Sequence, residues 1–408
     1  MKVLGIILFV LTAWLVWIIG KPRNIKLIDQ EYESRLERVM PDNVVDGNRV
    51  TTYTSFEPMF NQMLKDIDGA KHHVHVQFFK LEADATGQRL GDALVSKSGQ
   101  GVETRLIYDD FCSRSWKWFY NHLGEQGVQT APFGKINYPF IKPRDYYRNH
   151  RKVVVVDGRV AYVGGMNIAD RYGQGLSWGC WRDTMIRIEG PAAAALQHSF
   201  LADWCYSTGQ LIDSKAFFPV VPHVGDYPIQ IITSGPIGPG PDIMHYTVDL
   251  LNRSTKYVYF ESPYFLPPAE VMEAMCNAAS RGVDVRLLQP LRGDRGEVTQ
   301  YASKYNYAHA MSAGVKIGTY QAGFLHSKTI VSDDREAVVT SCNIDPRSYL
   351  LCQEVAAIVQ HSDYAKEMKE VFLADERQSL YIDPQVWSRR PLANKVKESM
   401  SHIIAPLL

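Results

Sequence analysis

The chain lacks an excess of charge of either sign. Its 44 lysine and arginine residues match 44 aspartate and glutamate residues, so the formal net charge is zero. A neutral protein sets up no long-range field that would gather a polyanion, which argues against nucleic acid as a partner. With 408 residues, 46% of them hydrophobic and 22% charged, the sequence predicts a globular protein of two domains or one duplicated domain.

Cysteine is scarce and scattered. The six cysteines form no CxxC pair and show no spacing typical of zinc ligands, so we predict reduced thiols in a reducing compartment rather than a disulfide framework. His73 and His75 would share one face of a strand, but no third ligand of the usual kind stands near them. A structural strand is therefore favoured over a metal pair. We expect no metal and no cofactor.

Long uncharged stretches are absent except at the N-terminus. Residues 3–20 carry no charge, and at roughly 1.5 Å per residue this segment, about 27 Å long, could cross the hydrocarbon layer of a bilayer. Trp14 and Trp17 suit the membrane interface, and the basic residues that follow favour a cytoplasmic body. A cleaved signal peptide is the alternative, but no small-x-small cleavage site follows. We predict a membrane anchor at 1–22 and a linker at 23–50.

Residues 149–167, NHRKVVVVDGRVAYVGGMN, place Asp157-Gly158 between two apolar runs. This arrangement predicts a β-hairpin with a two-residue turn. Side chains two apart on a strand share a face, so His150 and Lys152 point the same way. The predicted register puts His150 opposite Gly165, a position without a side chain, which indicates that something needs room there.

The same layout occurs a second time at residues 324–343, FLHSKTIVSDDREAVVTSCN. Both copies have the spacing H-x-K-x(4)-D and an asparagine after the second apolar run. The matched positions are His150, Lys152, Asp157 and Asn167 in the first copy and His326, Lys328, Asp333 and Asn343 in the second. Similar strands precede both copies, which predicts two mixed α/β repeats, at 51–215 and 216–385, and a C-terminal tail at 386–408.

Two copies of this motif suit phosphodiester chemistry. Two lysines and two asparagine amides supply donors to the oxygens that gain negative charge in the transition state. Two histidines on opposite sides of the phosphorus can act in line, one as the nucleophile and the other as the acid that protonates the leaving oxygen. Asp157 and Asp333 stand about five strand residues, or ~16 Å, from their own histidines, so we assign them to the turns.

These motifs resemble the signature of the phospholipase D superfamily, two H-x-K-x(4)-D motifs in one chain, and the nearer resemblance is to its bacterial cardiolipin synthases. The stretches that carry it are RNHRKVVVVDGRVAYVGGMNIAD, WRDTMIRIEGP, ESPYFLPPAE, HSKTIVSDD, SCNIDPRS and the closing APLL. The resemblance implies an α/β fold in which two phospholipase D-type α/β/α repeats pack as a pseudo-twofold dimer within one chain. One active site would lie between them. The uncharged segment at 3–20 adds the prediction of an N-terminal transmembrane helix that precedes the repeats.

The resemblance also implies roles for single residues. Asp183 and Glu354 match the carboxylates that orient the two histidines in the family. The family favours His150 as the nucleophile and His326 as the acid and base. The two motifs are nearly symmetric, so the residues themselves leave the reverse assignment open.

The implied function is a phosphatidyltransferase that condenses two phosphatidylglycerol molecules into cardiolipin and glycerol through a phosphohistidine. The alternatives are a phospholipase D hydrolase or a membrane-anchored phosphodiesterase or nuclease; a silent lipid-binding scaffold would not need an in-line imidazole pair. We expect phospholipid and membrane as partners and the bacterial inner membrane as the location, and the oligomeric state stays open. Thr340 replaces the usual glycine and Cys352 the usual asparagine, and these departures could change activity or acceptor size.

Overall fold

The computed structural model describes residues 44–136, 146–212, 214–238, 240–294 and 297–403. The predicted anchor, most of the predicted linker and the closing APLL lie outside these residues. Within them, no helix combines the length and the apolar character that crossing a bilayer requires.

The described residues form strands of two to nine residues in both halves of the chain. Their bounds are β1 Val45–Tyr53, β2 His73–Phe78, β3 Glu103–Asp109, β4 Gln129–Phe133, β5 Arg148–Asn149, β6 Val153–Val156, β7 Val160–Gly164, β8 Cys180–Arg182, β9 Met185–Glu189, β10 Tyr227–Ser234, β11 Tyr257–Glu261, β12 Asp284–Pro290, β13 Lys316–Tyr320, β14 Gly323–Leu325, β15 Thr329–Ser332, β16 Glu336–Thr340, β17 Cys352–Val359 and β18 Ser379–Tyr381.

Helices alternate with these strands, as an α/β chain requires. Their bounds are α1 Phe56–Gly69, α2 Ala85–Gly99, α3 Lys117–Glu125, α4 Asp170–Gln174, α5 Ala193–Thr208, α6 Asp242–Arg253, α7 Ala269–Ser280, α8 Val298–Tyr305, α9 Tyr307–Ser312, α10 Pro346–Leu350, α11 Ser362–Glu376, α12 Pro384–Ser388 and α13 Leu392–Ile403. Short 3₁₀ turns occur at Arg114–Trp116 and Lys215–Phe217.

Most strands join one long mixed sheet with the order β18-β13-β12-β11-β15-β16-β17-β10-β1-β9-β7-β6-β2-β3-β4. Its two halves meet where β1 and β10 pair antiparallel. From that pair outwards both halves follow the same plan, because β10, β17, β16, β15, β11, β12 and β13 take the places of β1, β9, β7, β6, β2, β3 and β4. Each H-x-K motif therefore leads into an equivalent strand, β6 or β15.

The central strands are buried on both faces because helices cover them. All six residues of β2 are buried, and so are all four of β6 and of β15. Each half has its own apolar core under its helices. A further apolar cluster is shared between the halves, since Val153 and Val163 of the first hairpin pack with Val339 and Val355 of the second half. This shared core fixes the two hairpins against each other.

The histidines of β2 belong to the sheet, as predicted. His75 Nε2 lies 3.0 Å from Arg105 Nη1, and its Nδ1 lies 2.7 Å from Gln197 Nε2. Gln197 Oε1 lies 3.2 Å from His73 Nε2. Across the residues that the structure describes, no cluster of histidine, cysteine, aspartate and glutamate is arranged to hold a metal ion.

Both motif hairpins turn where predicted, but the predicted register is wrong by one residue. Asp157 and Gly158 both have positive φ, 53° and 64°, and the Arg159 N–H donates to the Val156 carbonyl at 3.0 Å, which closes the tight turn. Arg159 is then an extra residue, so Val156 pairs with Val160.

The second hairpin shows the same one-residue shift, because Arg335 is the extra residue there and Ser332 pairs with Glu336. The motif histidines do not pair within their own hairpins. The prediction that His150 faces Gly165 is therefore wrong.

The sheet extends beyond the predicted repeat boundaries. Strand β1 begins at Val45, inside the stretch predicted as a linker, because its residues pair with β9 and β10. At the other end, α13 occupies much of the predicted tail at 386–408 and packs on α8, where Tyr305 and His402 stack with ring centroids 4.1 Å apart. The boundaries of the repeats at 51–215 and 216–385 otherwise stay predictions.

Candidate active site

Each half of the chain contributes a short strand to the other half, and each of these strands leads directly into a motif histidine. Strand β5, just before His150, pairs in parallel with β17 of the second half, and the His150 N–H donates to the Gln353 carbonyl at 2.9 Å. Strand β14, just before His326, pairs in parallel with β8 of the first half, and the His326 N–H donates to the Arg182 carbonyl at 2.7 Å. Each histidine is thus positioned by backbone from the opposite half.

His150 is held by a carboxylate of the second half. Its Nδ1 lies 2.8 Å from Glu354 Oε1, and the hydroxyl of Ser341 donates to the other carboxylate oxygen. Burial lowers the pKa of His150 to about 4, although Glu354 opposes the shift. Burial alone would raise the pKa of Glu354, but His150 and Lys152 hold it below its usual value. The neutral imidazole therefore donates its Nδ1 proton to the carboxylate and keeps a lone pair on Nε2.

His326 is held in the same way by a carboxylate of the first half. Its Nδ1 lies 2.6 Å from Asp183 Oδ2, and Asp183 Oδ1 accepts the backbone N–H of Thr184 at 2.8 Å. Burial lowers the pKa of His326 to about 3, and Lys328 adds to the shift. A Cβ on Gly165 would lie 2.1 Å from Asp183 Oδ1, so the room at Gly165 is taken up by this carboxylate.

Both motif lysines are fully buried beside the histidines. Lys152 Nζ donates to the His150 carbonyl at 2.5 Å, and Lys328 Nζ donates to the His326 carbonyl. Burial lowers the pKa of Lys152 to about 7, Glu354 opposes this shift and Lys328 adds to it. Burial also lowers the pKa of Lys328 to about 8. Charge also acts across the two halves, because Lys328 lowers the pKa of Lys152 and of His150, and Lys152 lowers the pKa of His326.

The motif asparagines are buried, and the motif aspartates lie in the hairpin turns. Asn167 Oδ1 accepts the Lys80 N–H at 3.1 Å, and Asn343 is 7% exposed. Asp157 instead accepts three backbone N–H groups of residues 71–73 at 2.8 to 2.9 Å. Asp333 accepts the N–H groups of residues 255–257, each at 2.8 Å. Both aspartates lie at the turn ends of their hairpins, away from the histidines.

Two buried arginines next to motif residues in the sequence were not predicted to have a role. Arg151 Nη1 lies 2.8 Å from Asp203 Oδ2, and its Nε donates to the Glu354 carbonyl at 3.0 Å. Arg182 Nη2 lies 2.7 Å from Asp375 Oδ2, and its Nη1 donates to the Asp183 carbonyl at 2.7 Å. Each arginine thus donates to the backbone carbonyl of a residue whose carboxylate contacts a motif histidine. The available signal was their adjacency to motif residues, in H-R-K and W-R-D.

Comparisons with known proteins identify the family of this chain. A family described as "Cardiolipin synthase, PLD-like domain" matches residues 63–204 and 247–376. The cardiolipin synthase of Geobacillus sp. strain WCH70 is 36% identical over 361 residues, which are 87% of this chain and 71% of that protein. The chain belongs to the cardiolipin synthase family of phospholipase D-like proteins.

Other members and solved structures are also similar. The cardiolipin synthase of Listeria monocytogenes serotype 4a strain HCC23 is 36% identical over 370 residues, 90% of this chain and 76% of that protein. The crystal structure of phosphatidylserine synthase from Haemophilus influenzae Rd KW20 superposes with a TM-score of 0.68 at 12% identity, covering 93% of this chain and 97% of that one. This second likeness establishes the phospholipase D-like fold alone.

Thr340 and Cys352, the two departures expected from the family pattern, are both buried. The Thr340 hydroxyl donates to the Val355 carbonyl at 2.9 Å and accepts the Cys342 N–H at 3.0 Å, so its side chain is bound to backbone. Cys352 is buried in β17, and burial raises the pKa of its thiol. A thiol with a raised pKa is a weak nucleophile, so Cys352 fills space.

Proposed function

We propose that this chain is a phosphatidyltransferase that condenses two phosphatidylglycerol molecules into cardiolipin and glycerol through a phosphohistidine. The observation that supports it is the pair of imidazoles, each with Nδ1 bound by a carboxylate of the opposite half. A nucleophile and an acid held in fixed tautomers on either side of one phosphorus atom are what a two-step displacement requires.

In the first step, Nε2 of His150 attacks the phosphorus of one phosphatidylglycerol. The bond from phosphorus to the headgroup glycerol oxygen breaks, and His326 gives that oxygen a proton from its own Nε2. A bound phosphodiester carries negative charge, so it raises the low pKa of His326 toward the range where the imidazole holds this proton. Glycerol leaves, and the phosphatidyl group stays on His150.

In the second step, His326 is neutral and acts as a base. It takes the proton of a headgroup hydroxyl on the second phosphatidylglycerol, whose oxygen attacks the phosphohistidine. The bond from His150 to phosphorus breaks, and cardiolipin forms. Water would give phosphatidic acid by the same step, so transfer requires that the acceptor be held while water is excluded.

Lys152, Lys328, Asn167 and Asn343 are the proposed donors to the phosphate oxygens. The lysines are buried, where a charge is poorly screened and acts strongly on nearby charge. The phosphate would draw their lowered pKa values upward and keep both ammonium groups charged. Asp157 and Asp333 have structural roles in the turns.

The finer architecture also belongs to this proposal. The matching strand orders support two repeats related by a pseudo-twofold axis. The uncharged stretch at 3–20 supports a single N-terminal span that holds the body on the cytoplasmic side of a bacterial inner membrane.

The test is to incubate detergent-solubilised full-length protein with phosphatidylglycerol labelled in its acyl chains and, separately, in its headgroup glycerol. Cardiolipin with free labelled glycerol is the expected result. Phosphatidic acid without cardiolipin would show the phospholipase D hydrolase instead. His150→Ala should form neither product, which serves as the control for contaminating lipases.

A further inference from the structure

Helix α13 carries its apolar side chains on the outside. Leu392, Val396, Met400 and Ile403 are 75%, 49%, 65% and 77% exposed, and we refer to them as the apolar stripe. At about 100° per residue, these positions fall within roughly 80° of the helix circumference. An amphipathic helix of a folded protein normally packs its apolar face against the core, whereas α13 exposes its apolar face to solvent.

The inward face of α13 is polar and firmly attached. Glu398 is 2% exposed and receives the Arg390 guanidinium at 2.6 to 3.0 Å. His402 stacks on Tyr305 of α8, as described above. The orientation of the helix is therefore fixed by an ion pair and a ring stack, and the apolar stripe is held facing outward.

The helix is connected to the catalytic region through α8. Ser303 of α8 accepts the Phe265 N–H at 3.0 Å, and Asn306, just after α8, donates to the Phe265 carbonyl at 3.0 Å. The next residue, Leu266, donates its N–H to the Ile344 carbonyl at 2.8 Å, and Ile344 directly follows Asn343. Only one helix and one loop thus separate α13 from a motif asparagine.

Basic residues surround the apolar stripe. Residues 384–403 contain two arginines and two lysines against one glutamate, and that glutamate is neutralised by Arg390. Lys395 and Lys397 lie on opposite flanks of the stripe by helical spacing. Lys397 Nζ also lies 5.4 Å from the Tyr301 ring centre, and Lys395 Nζ donates to the Ser388 carbonyl at 3.0 Å. Both ammonium groups are thus held beside the body of the protein, on either side of the apolar stripe.

We propose that α13 lies in the surface of an anionic lipid bilayer, with the apolar stripe at the boundary between headgroups and acyl chains. An exposed apolar face flanked by lysines is the pattern of an interfacial helix. A stripe of four side chains is small for a stable protein–protein interface, which needs roughly 800 Å² from each partner. A bilayer requires no such area, because lipid closes around any shape.

This surface goes beyond the proposed reaction. The apolar stripe would determine how the body of the protein contacts the membrane. This proposal is the same whether the active site transfers a phosphatidyl group to an alcohol or hydrolyses the phospholipid. The stripe would keep the catalytic region close to lipid headgroups and give the body a contact separate from the predicted span.

The occupant of the stripe is identified by photocrosslinking. Met400→p-benzoylphenylalanine in the full-length chain is illuminated in vesicles of equal parts phosphatidylglycerol and phosphatidylcholine, and Glu367→p-benzoylphenylalanine on exposed α11 is the matched control. We expect a lipid adduct at position 400 and none at 367. A doubled mass would identify a second copy of the chain as the occupant. An adduct to residues 1–43 would identify the chain's own N-terminus as the occupant. Either result would overturn the proposal. Equal lipid labelling in pure phosphatidylcholine vesicles would overturn the preference for anionic lipid.

A kinetic test distinguishes the docking surface from the site. We expect Met400→Glu to raise the vesicle concentration at half-maximal rate at least about tenfold, the factor that one buried methionine side chain is worth. Turnover of short-chain phosphatidylglycerol dispersed as monomers should stay within about twofold of the native rate, as in any surface substitution. Ser362→Glu, which adds the same charge on α11, is the control. An unchanged vesicle requirement in Met400→Glu overturns the proposal, whereas a native protein that forms no cardiolipin from detergent-solubilised phosphatidylglycerol would refute the proposed function alone.

Discussion

Glu354→Gln tests the orienting role of the carboxylate that holds His150. Glu354 is fully buried, and its Oε1 lies 2.8 Å from His150 Nδ1. Glutamine keeps the size of the side chain but removes the charge that stabilises the imidazolium formed on attack. Removing one partner of a buried ion pair costs about 3–5 kcal/mol. The rate of phosphohistidine formation should therefore fall by roughly 10²–10⁴.

The assay is rapid-quench measurement of phosphoenzyme during a single turnover of labelled phosphatidylglycerol. Ser341→Ala is the graded control, because it leaves the charge and removes only the hydroxyl that donates to the second oxygen of Glu354. A lost hydrogen bond to a charged group costs about 1.5–3 kcal/mol, or roughly 10–150-fold in rate. Both variants should unfold cooperatively, as followed by circular dichroism.

The reasoning is refuted if folded Glu354→Gln forms the phosphoenzyme at the native rate. The corresponding Asp183→Asn separates the roles of the two histidines. If His326 is the acid and base, Asp183→Asn should accumulate phosphoenzyme once it has formed, because the activation of the second acceptor is slowed. Accumulation in Glu354→Gln and not in Asp183→Asn would exchange the two roles.

Other consequences of the site can be checked separately. In the folded protein the pKa is about 4 for His150 and about 3 for His326, both below the ordinary value of 6.5. At a pH between the folded value and 6.5, the unfolded chain therefore binds more protons than the folded protein. The free energy of unfolding should then be highest above about pH 6.5 and should fall as the pH drops toward 4, by up to ~3 kcal/mol per histidine. Urea titrations across this range measure the slope, and a flat profile would contradict the burial of neutral imidazoles. Gly165→Ala places a Cβ 2.1 Å from Asp183 Oδ1 and should lower kcat by about 10²-fold or more with little change in KM; native kcat in this variant would show that the carboxylate can shift without loss. Asp157→Asn should lower the free energy of unfolding by about 1–3 kcal/mol, because three backbone N–H groups lose a charged acceptor, while kcat per folded molecule stays native; an inactive but stable variant would place Asp157 in the chemistry instead.

Local patterns predicted the parts of this fold that depend on neighbouring residues. Asp157-Gly158 indicated the first turn correctly, because positive φ at both positions is a property of the turn itself. The register was missed by one residue, since nothing in the apolar alternation shows that Arg159 is left unpaired. Gly165 did indicate a need for room, but the group that uses the room is Asp183 rather than His150.

The pairing of each histidine with the opposite half could not be derived from spacing. His150 and Gln353 are joined by backbone across 203 positions of sequence, and a hairpin pattern contains no information at that separation. The proposed orienting roles of Asp183 and Glu354 came from the family resemblance alone. The structure gives each of them a short contact to a histidine. The two arginines were missed because a charged residue is usually solvated, whereas here α5 and α11 bury both arginines against aspartates.

The exchange of strands also matters while the protein is being made. When only the first half has emerged from the ribosome, His150 is present without Glu354, and Asp183 is present without His326. By the proposed mechanism, such a fragment lacks the second proton carrier and should not cleave phospholipids. The second half supplies Glu354 and His326, so by the same mechanism the phosphate site is complete only once that half has folded.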